Sequence, residues 1–99
     1  MLLSQPSPSP ASGRLTDLPN INAQVASRLS KVGIRTADDL LNSDPYVVFD
    51  SMLRKIGPNL KKKDLATIVG ACQGEQWNNV LNESVREYRF RKPKHIWFE

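Results

Sequence analysis

One cysteine, Cys72, and one histidine, His95, are all that the 99 residues hold of those two types. A single thiol excludes an intramolecular disulfide and agrees with a reducing, cytoplasmic setting. One Cys with one His leaves a conventional structural zinc site short of ligands, so neither a metal nor another cofactor is expected. No sequence signature joins either residue to a serine or to a catalytic carboxylate pair, and an enzyme is not expected. Long apolar stretches are also missing. No run exceeds four residues, which is too short to span a membrane. Met1-Leu2-Leu3 lacks both a basic flank and a seven-residue hydrophobic stretch, so it does not read as a secretory signal.

An excess of one charge is scarce outside one place. Residues 86–94 hold Arg86, Arg89, Arg91, Lys92 and Lys94 against Glu87 alone, and this stretch accounts for the whole net charge of +4. The remainder is balanced, which excludes a uniformly basic protein that coats nucleic acid. Hydrophobic residues at 39% and charged residues at 24% suit one small globular domain.

The division expected is a flexible Ser/Pro-rich leader over 1–13, a helical domain over 14–92 and a basic, aromatic tail over 93–99. Prolines alternating with serine remove backbone donors and disfavour helix, as in a linker or a frayed terminus. From Arg14 the chain reads as short helices with marked ends. Thr16 is placed to cap a brief turn, and Asn22 to cap a helix over about 23–32 that Gly33 stops. Thr36 and Asp39 have the spacing of a capping box, and Asp44-Pro45 pairs a cap with proline at the first helical position. Phe49, Met52, Leu53 and Ile56 make one apolar stripe; Leu65, Ile68, Val69 and Cys72 make another, ended by Gly74. A last helix over about 83–91 is expected after Asn82. With no sustained strand alternation, the fold class is all-α, a compact bundle of five to six short helices.

Leu15 to Ile34 is the most specific stretch. A short helix, Pro19-Asn20-Ile21-Asn22, an amphipathic helix and Gly33-Ile34 resemble a helix-hairpin-helix. In that motif an apolar residue plugs the core between two glycines that let backbone N–H groups reach a DNA phosphate. Here Ile21 is the plug, with Asn20 and Asn22 at the glycine positions. Asparagine tolerates left-handed backbone, yet its side chain narrows the approach. The hairpin therefore has two readings, packing alone or phosphate contact through Asn20, Ile21 and Asn22 with Arg28 and Lys31.

Leu18-Pro19-Asn20-Ile21, then Lys31 to Leu40, then Gly70-Ala71 and Trp77-Asn78 resemble the C-terminal domain of the TfoX/Sxy family of natural-competence regulators. The resemblance implies a helical domain of helix-hairpin-helix type. It also implies transcriptional control of DNA-uptake genes together with the cyclic-AMP receptor protein as partner. Full-length members carry an N-terminal α/β domain where this sequence has its Ser/Pro stretch. That implies a separately encoded or excised C-terminal domain, or a standalone paralogue. A second resemblance, over the first half alone, is to small helix-hairpin-helix proteins of the pathogenicity-locus and mitomycin-resistance type, whose cysteine-bearing second half is lacking here.

Two basic groups remain. Lys61, Lys62 and Lys63 sit at a helix start, where cations oppose the dipole; they are either a solvated face or a contact for an anionic partner. The segment Arg86 to Phe98 interleaves its cations with Tyr88, Phe90, Trp97 and Phe98. It suits DNA, a protein partner, or docking of the aromatics with the cations left as a wet rim. Cys72 reads as a small buried hydrophobe and Trp77 as an anchor for the last helix. The function expected is a non-enzymatic regulatory domain working through protein or DNA contacts; the alternative is a sequence-independent DNA-binding module.

Overall fold

A computed structural model describes residues 13–97. The Ser/Pro-rich leader expected over 1–13 falls outside the described residues except for Gly13, and Phe98 of the tail lies outside them too. Five α-helices follow a 3-10 turn at Leu15–Asp17: α1 (Ala23–Ser30), α2 (Ala37–Leu41), α3 (Pro45–Lys55), α4 (Lys62–Gln73) and α5 (Trp77–Arg91). Extended pairing among the described residues is limited to one bridge between Arg14 and Thr36. The fold is all-α, as expected, and the first helix of the helix-hairpin-helix is reduced to that 3-10 turn.

Local chemistry sets most of the ends. The Asn22 side chain accepts from the Val25 N–H at 2.9 Å and caps α1. At α2, Thr36 Oγ1 accepts the Asp39 N–H at 3.0 Å while the Asp39 carboxylate accepts the Thr36 N–H at 3.2 Å, the reciprocal box the spacing predicts. Asp44 caps α3 through the Tyr46 N–H at 2.9 Å, with Pro45 opening the helix. Gly74, in the left-handed region at φ 74°, ends α4.

Three boundaries differ from expectation. Thr16 lies inside the 3-10 turn; the Asp17 carboxylate takes the Arg14 N–H instead, at 3.2 Å. Helix α1 closes at Ser30. Helix α5 starts at Trp77, well before Asn82, because its first N–H is capped by a residue distant in sequence.

Helix α4 is the axis of the core. Residues 65–71 are all buried, so the stripe read from sequence is the hydrophobic part of a helix enclosed on every side. It packs along α5 and against α3. Leu29, Leu40, Phe49 and Met52 close around it, and Ile21 plugs from the hairpin. Each such side chain stabilises by roughly 1.5–3 kcal/mol on burial. Beyond α5 the chain turns at Pro93-Lys94, and Trp97 comes back onto the core. Its ring lies 5.8 Å from Phe49 and 5.5 Å from Tyr88, with His95 4.6 Å away. The near end of the tail is therefore docked, which leaves its cations in unequal surroundings.

Candidate functional site

The hairpin begins with a strained residue. Asn20 has φ 70°, a left-handed conformation that asparagine tolerates better than most. Its side chain faces inward. Nδ2 donates to the Glu75 carbonyl at 2.8 Å, and Oδ1 accepts the Trp77 N–H at 3.1 Å. Asn20 thus caps α5 from across the molecule. A Cβ at Gly70 would sit 2.7 Å from that Nδ2 and 2.7 Å from the Glu75 carbonyl oxygen, so glycine leaves the room this bridge needs. Asn22 is exposed and occupied in capping α1. Ile21 is buried as the plug. Both flanking side chains are held by the fold.

Arg28 projects from α1 to Asp64 at the start of α4, with Nη1 3.4 Å from the carboxylate. The other oxygen of Asp64 accepts the Lys61 N–H at 2.7 Å. Between hairpin, α4 and α5 opens a cleft of about 490 Å³. Asn20, Asn22 and Arg28 meet there with Lys63, Asp64, Gln76 and Trp77. The Lys63 ammonium lies 4.8 Å above the Trp77 ring, a cation–π contact. Lys31 is exposed at the far end of α1 and does not line this cleft. The structure therefore joins Arg28 to one lysine of the 61–63 run and leaves Lys31 apart.

The basic segment divides in two. Arg91 is tied into the fold: Nε donates to Glu87 at 2.8 Å, Nη1 donates to Asp44 at 2.9 Å, and the guanidinium stacks 4.5 Å over Tyr46. The bonds to Glu87 and Asp44 hold the guanidinium more firmly protonated than usual. Burial pulls Asp44 upward, and the bonds from Arg91 and the Tyr46 N–H outweigh it, leaving the carboxyl below its ordinary range. Lys92 reaches Asp50 at 3.6 Å. Arg86 and Arg89, one turn apart on the exposed side of α5, form no ion pair within the described residues. With Lys62, Leu81, Asn82 and Val85 they line a groove of about 430 Å³, with no carboxylate among its described lining residues. Lys61 and Lys94 are exposed. Lys94 lines a separate cleft beside Asp50 and His95.

Cys72 is half-buried, with Sγ 3.7 Å from the Leu40 carbonyl. Burial pushes its thiol up to about 11, so it is a poor nucleophile at neutral pH. His95 Nε2 is buried with no hydrogen-bond partner, and the ring stands edge-on to Tyr88 at 5.1 Å. Among the described residues no group of His, Cys, Asp and Glu is placed to hold a metal ion. No described helix is long and apolar enough to cross a membrane.

Three residues of this region escape a reading of sequence alone. Thr67 looks like one polar position on an apolar helix, yet it is 7% exposed and lines the hairpin cleft. Gly70 and Trp77 stand in blocks that are legible, but nothing local signals that both meet Asn20.

The sequence profile of the family described as the TfoX C-terminal domain matches residues 11–88. The crystal structure of an uncharacterized protein from Listeria monocytogenes is similar in fold, with a TM-score of 0.70 and 23% identity. The match covers 85% of this chain and 99% of that one. A comparison with curated proteins finds no significant match.

Proposed function

Because the chain belongs to the TfoX C-terminal domain family, we propose that it is a non-enzymatic regulatory domain in the control of competence, working in the cytoplasm by contact with DNA. The observation that carries this reading is the groove of Arg86 and Arg89 beside the start of α4, lined by no carboxylate among the described residues. Arg86 and Arg89, one turn apart on a rigid helix, suit successive phosphates, and neither forms an ion pair among the described residues. The hairpin supports DNA contact less well. The side chains of Asn20 and Asn22 are held by the fold, and Arg28 already faces Asp64.

A protein partner, such as the cyclic-AMP receptor protein implied by the family resemblance, is a second reading with its own observation. Phe90 is 84% exposed and Ile96 is 75% exposed, beside the basic residues Arg89 and Lys94. Apolar side chains interspersed with arginine favour protein interfaces.

Fluorescence anisotropy against duplex and single-stranded DNA at two salt concentrations tests the reading. The variant Arg86→Gln with Arg89→Gln should weaken binding and flatten the salt dependence by about 0.9 log unit for each phosphate no longer neutralised. Weakening only in Arg28→Ala with Lys31→Ala would return the DNA interface to the hairpin. No binding at about 50 mM salt, where phosphate contacts are strong, would overturn DNA contact and leave the protein partner.

A further inference from the structure

Of the described aromatic side chains in the basic segment, Tyr88 and Trp97 turn into the fold and Phe90 does not. Tyr88 is buried, and Trp97 lies 5.8 Å from Phe49. Phe90 is 84% exposed in the last turn of α5 and makes no ring–ring or cation–π contact among the described residues. An aromatic ring left in water contributes almost nothing to the core. Its surroundings are specific. Arg86 precedes it by four residues, which puts both on one side of the helix, about 6 Å apart along the axis. Arg89 adjoins it in sequence. Both arginines are exposed, and neither forms an ion pair among the described residues. Glu87, which lies between them in sequence, is turned to Arg91 at 2.8 Å. Glu83, exposed one turn before Arg86, bounds the strip on its N-terminal side.

Phosphates meet these arginines whether the strands are paired or not, but the ring discriminates between the two. In a duplex the faces of the bases are stacked on one another, and a side chain reaches them only by wedging a step apart, at a cost in stacking energy. A single strand presents bases whose faces are free, and every base has a π-face on which phenylalanine stacks. Arginines beside an aromatic ring on one helix face therefore match phosphate and base together. A protein partner would also cover the ring. The two guanidinium groups without carboxylates, however, call for an anionic occupant, and in a single strand an anionic group recurs beside every base.

We propose that the outer face of α5 selects single-stranded over duplex DNA, with Phe90 stacking on an unpaired base and Arg86 and Arg89 holding the flanking phosphates. The proposal rests on the reading of α5 as the element that contacts DNA, and it adds the class of DNA. Stacking needs no particular base, so the preference is for strand state and not for sequence. The helix is fixed to the core through Val80, Ser84 and Tyr88, and the Tyr88 hydroxyl donates to Asp50 on α3 at 2.7 Å. The strip is thus preformed, and little ordering is needed when a strand binds.

The test is fluorescence anisotropy of the whole chain with a labelled oligothymidylate of about 12 bases and with a duplex of equal length, each at two salt concentrations. The single strand should bind more tightly. Phe90→Ala should weaken single-strand binding by about tenfold, the value of one stacked base. It should leave duplex binding and the salt slope unchanged, since the ring neutralises no phosphate. Phe90→Tyr should keep the affinity and Phe90→Leu should lose it, because leucine has apolar surface without a π-face. The exposure of position 90 keeps these variants as stable as the parent, which melting curves check. Arg86→Gln with Arg89→Gln should weaken binding of both DNAs. Duplex binding equal to or tighter than single-strand binding would overturn the strand preference and leave α5 as a DNA contact. So would a single-strand affinity that falls with the arginines but ignores Phe90→Ala, or that survives in Phe90→Leu; the ring would then belong to a protein partner. No binding of either DNA would overturn this proposal and the DNA reading of α5 together.

Discussion

The Asn20 carboxamide and Gly70 occupy one space: a methyl group at position 70 would lie 2.7 Å from Asn20 Nδ2. The close approach joins the hairpin to the middle of α4, where the backbone is buried. It also explains a glycine inside a helix, a position where glycine normally costs about 1 kcal/mol relative to alanine.

Gly70→Ala should therefore destabilise the domain despite its better helix propensity. A clash with both Asn20 and the Glu75 carbonyl costs about 1–3 kcal/mol, more than the propensity gained. Urea denaturation measures it. In an Asn20→Ala background the penalty should shrink, because one of the two clashing partners is gone. Equal penalties in both backgrounds would mean that the close approach does not matter.

Asn20 itself can be separated into strain and bonding. Asn20→Ala loses the bonds to Glu75 and Trp77 and forces alanine to φ 70°; a loss of about 2–3 kcal/mol is expected. Asn20→Gly loses the same bonds without the strain and should be about 1 kcal/mol less damaging. If the glycine variant were the worse of the two, the left-handed backbone would not be the source of the cost.

Arg89 and Arg91 should behave as opposites. Arg91→Gln breaks the interactions with Glu87, Asp44 and Tyr46 and should lower stability by about 1 kcal/mol, modest because the pairs are partly exposed. Arg89→Gln should leave the melting temperature unchanged and reduce DNA affinity instead. Melting curves and anisotropy on both variants check the split.

Tail docking should weaken on mild acidification. Burial holds the His95 imidazole below its ordinary 6.5, against a smaller upward pull from Asp50. Arg54, Arg91, Lys92 and Lys94 line the same cleft. Folding favours the neutral ring, so this contribution is intact above pH 6.5 and is lost as the pH falls through the folded value. The Trp97 indole resonance should shift over that range, and His95→Phe should abolish the change. A Trp97 signal constant from about pH 7 to 5 would show that the imidazole does not govern docking.

A second acid transition belongs to Asp39. The Arg35 N–H, then the hydrogen bonds with Thr36, hold its carboxyl below 3.8 despite some desolvation. The α2 cap is therefore complete above pH 3.8 and is lost as the pH falls through the folded value. Asp39→Asn should remove this transition, read as helical circular dichroism against pH, and leave that of His95 in place.

Helix class, most caps and the family blocks were legible in the residues because their causes are local. Asn22 caps three residues away, Thr36 and Asp39 reciprocate within one turn, and Gly74 ends α4 through its own backbone. The fate of the charged and polar candidates was not legible. Asn20 bonds Trp77 across 57 positions, Arg28 meets Asp64 across 36, and Arg91 reaches Asp44 across 47. Composition assigned one basic character to residues 86–94; packing divided it into Arg91 and Lys92, which hold the fold, and Arg86 and Arg89, which face a groove. The difference has a physical cause. A cap needs only the neighbouring turn, whereas the partner of a long side chain depends on which distant element the buried core brings beside it.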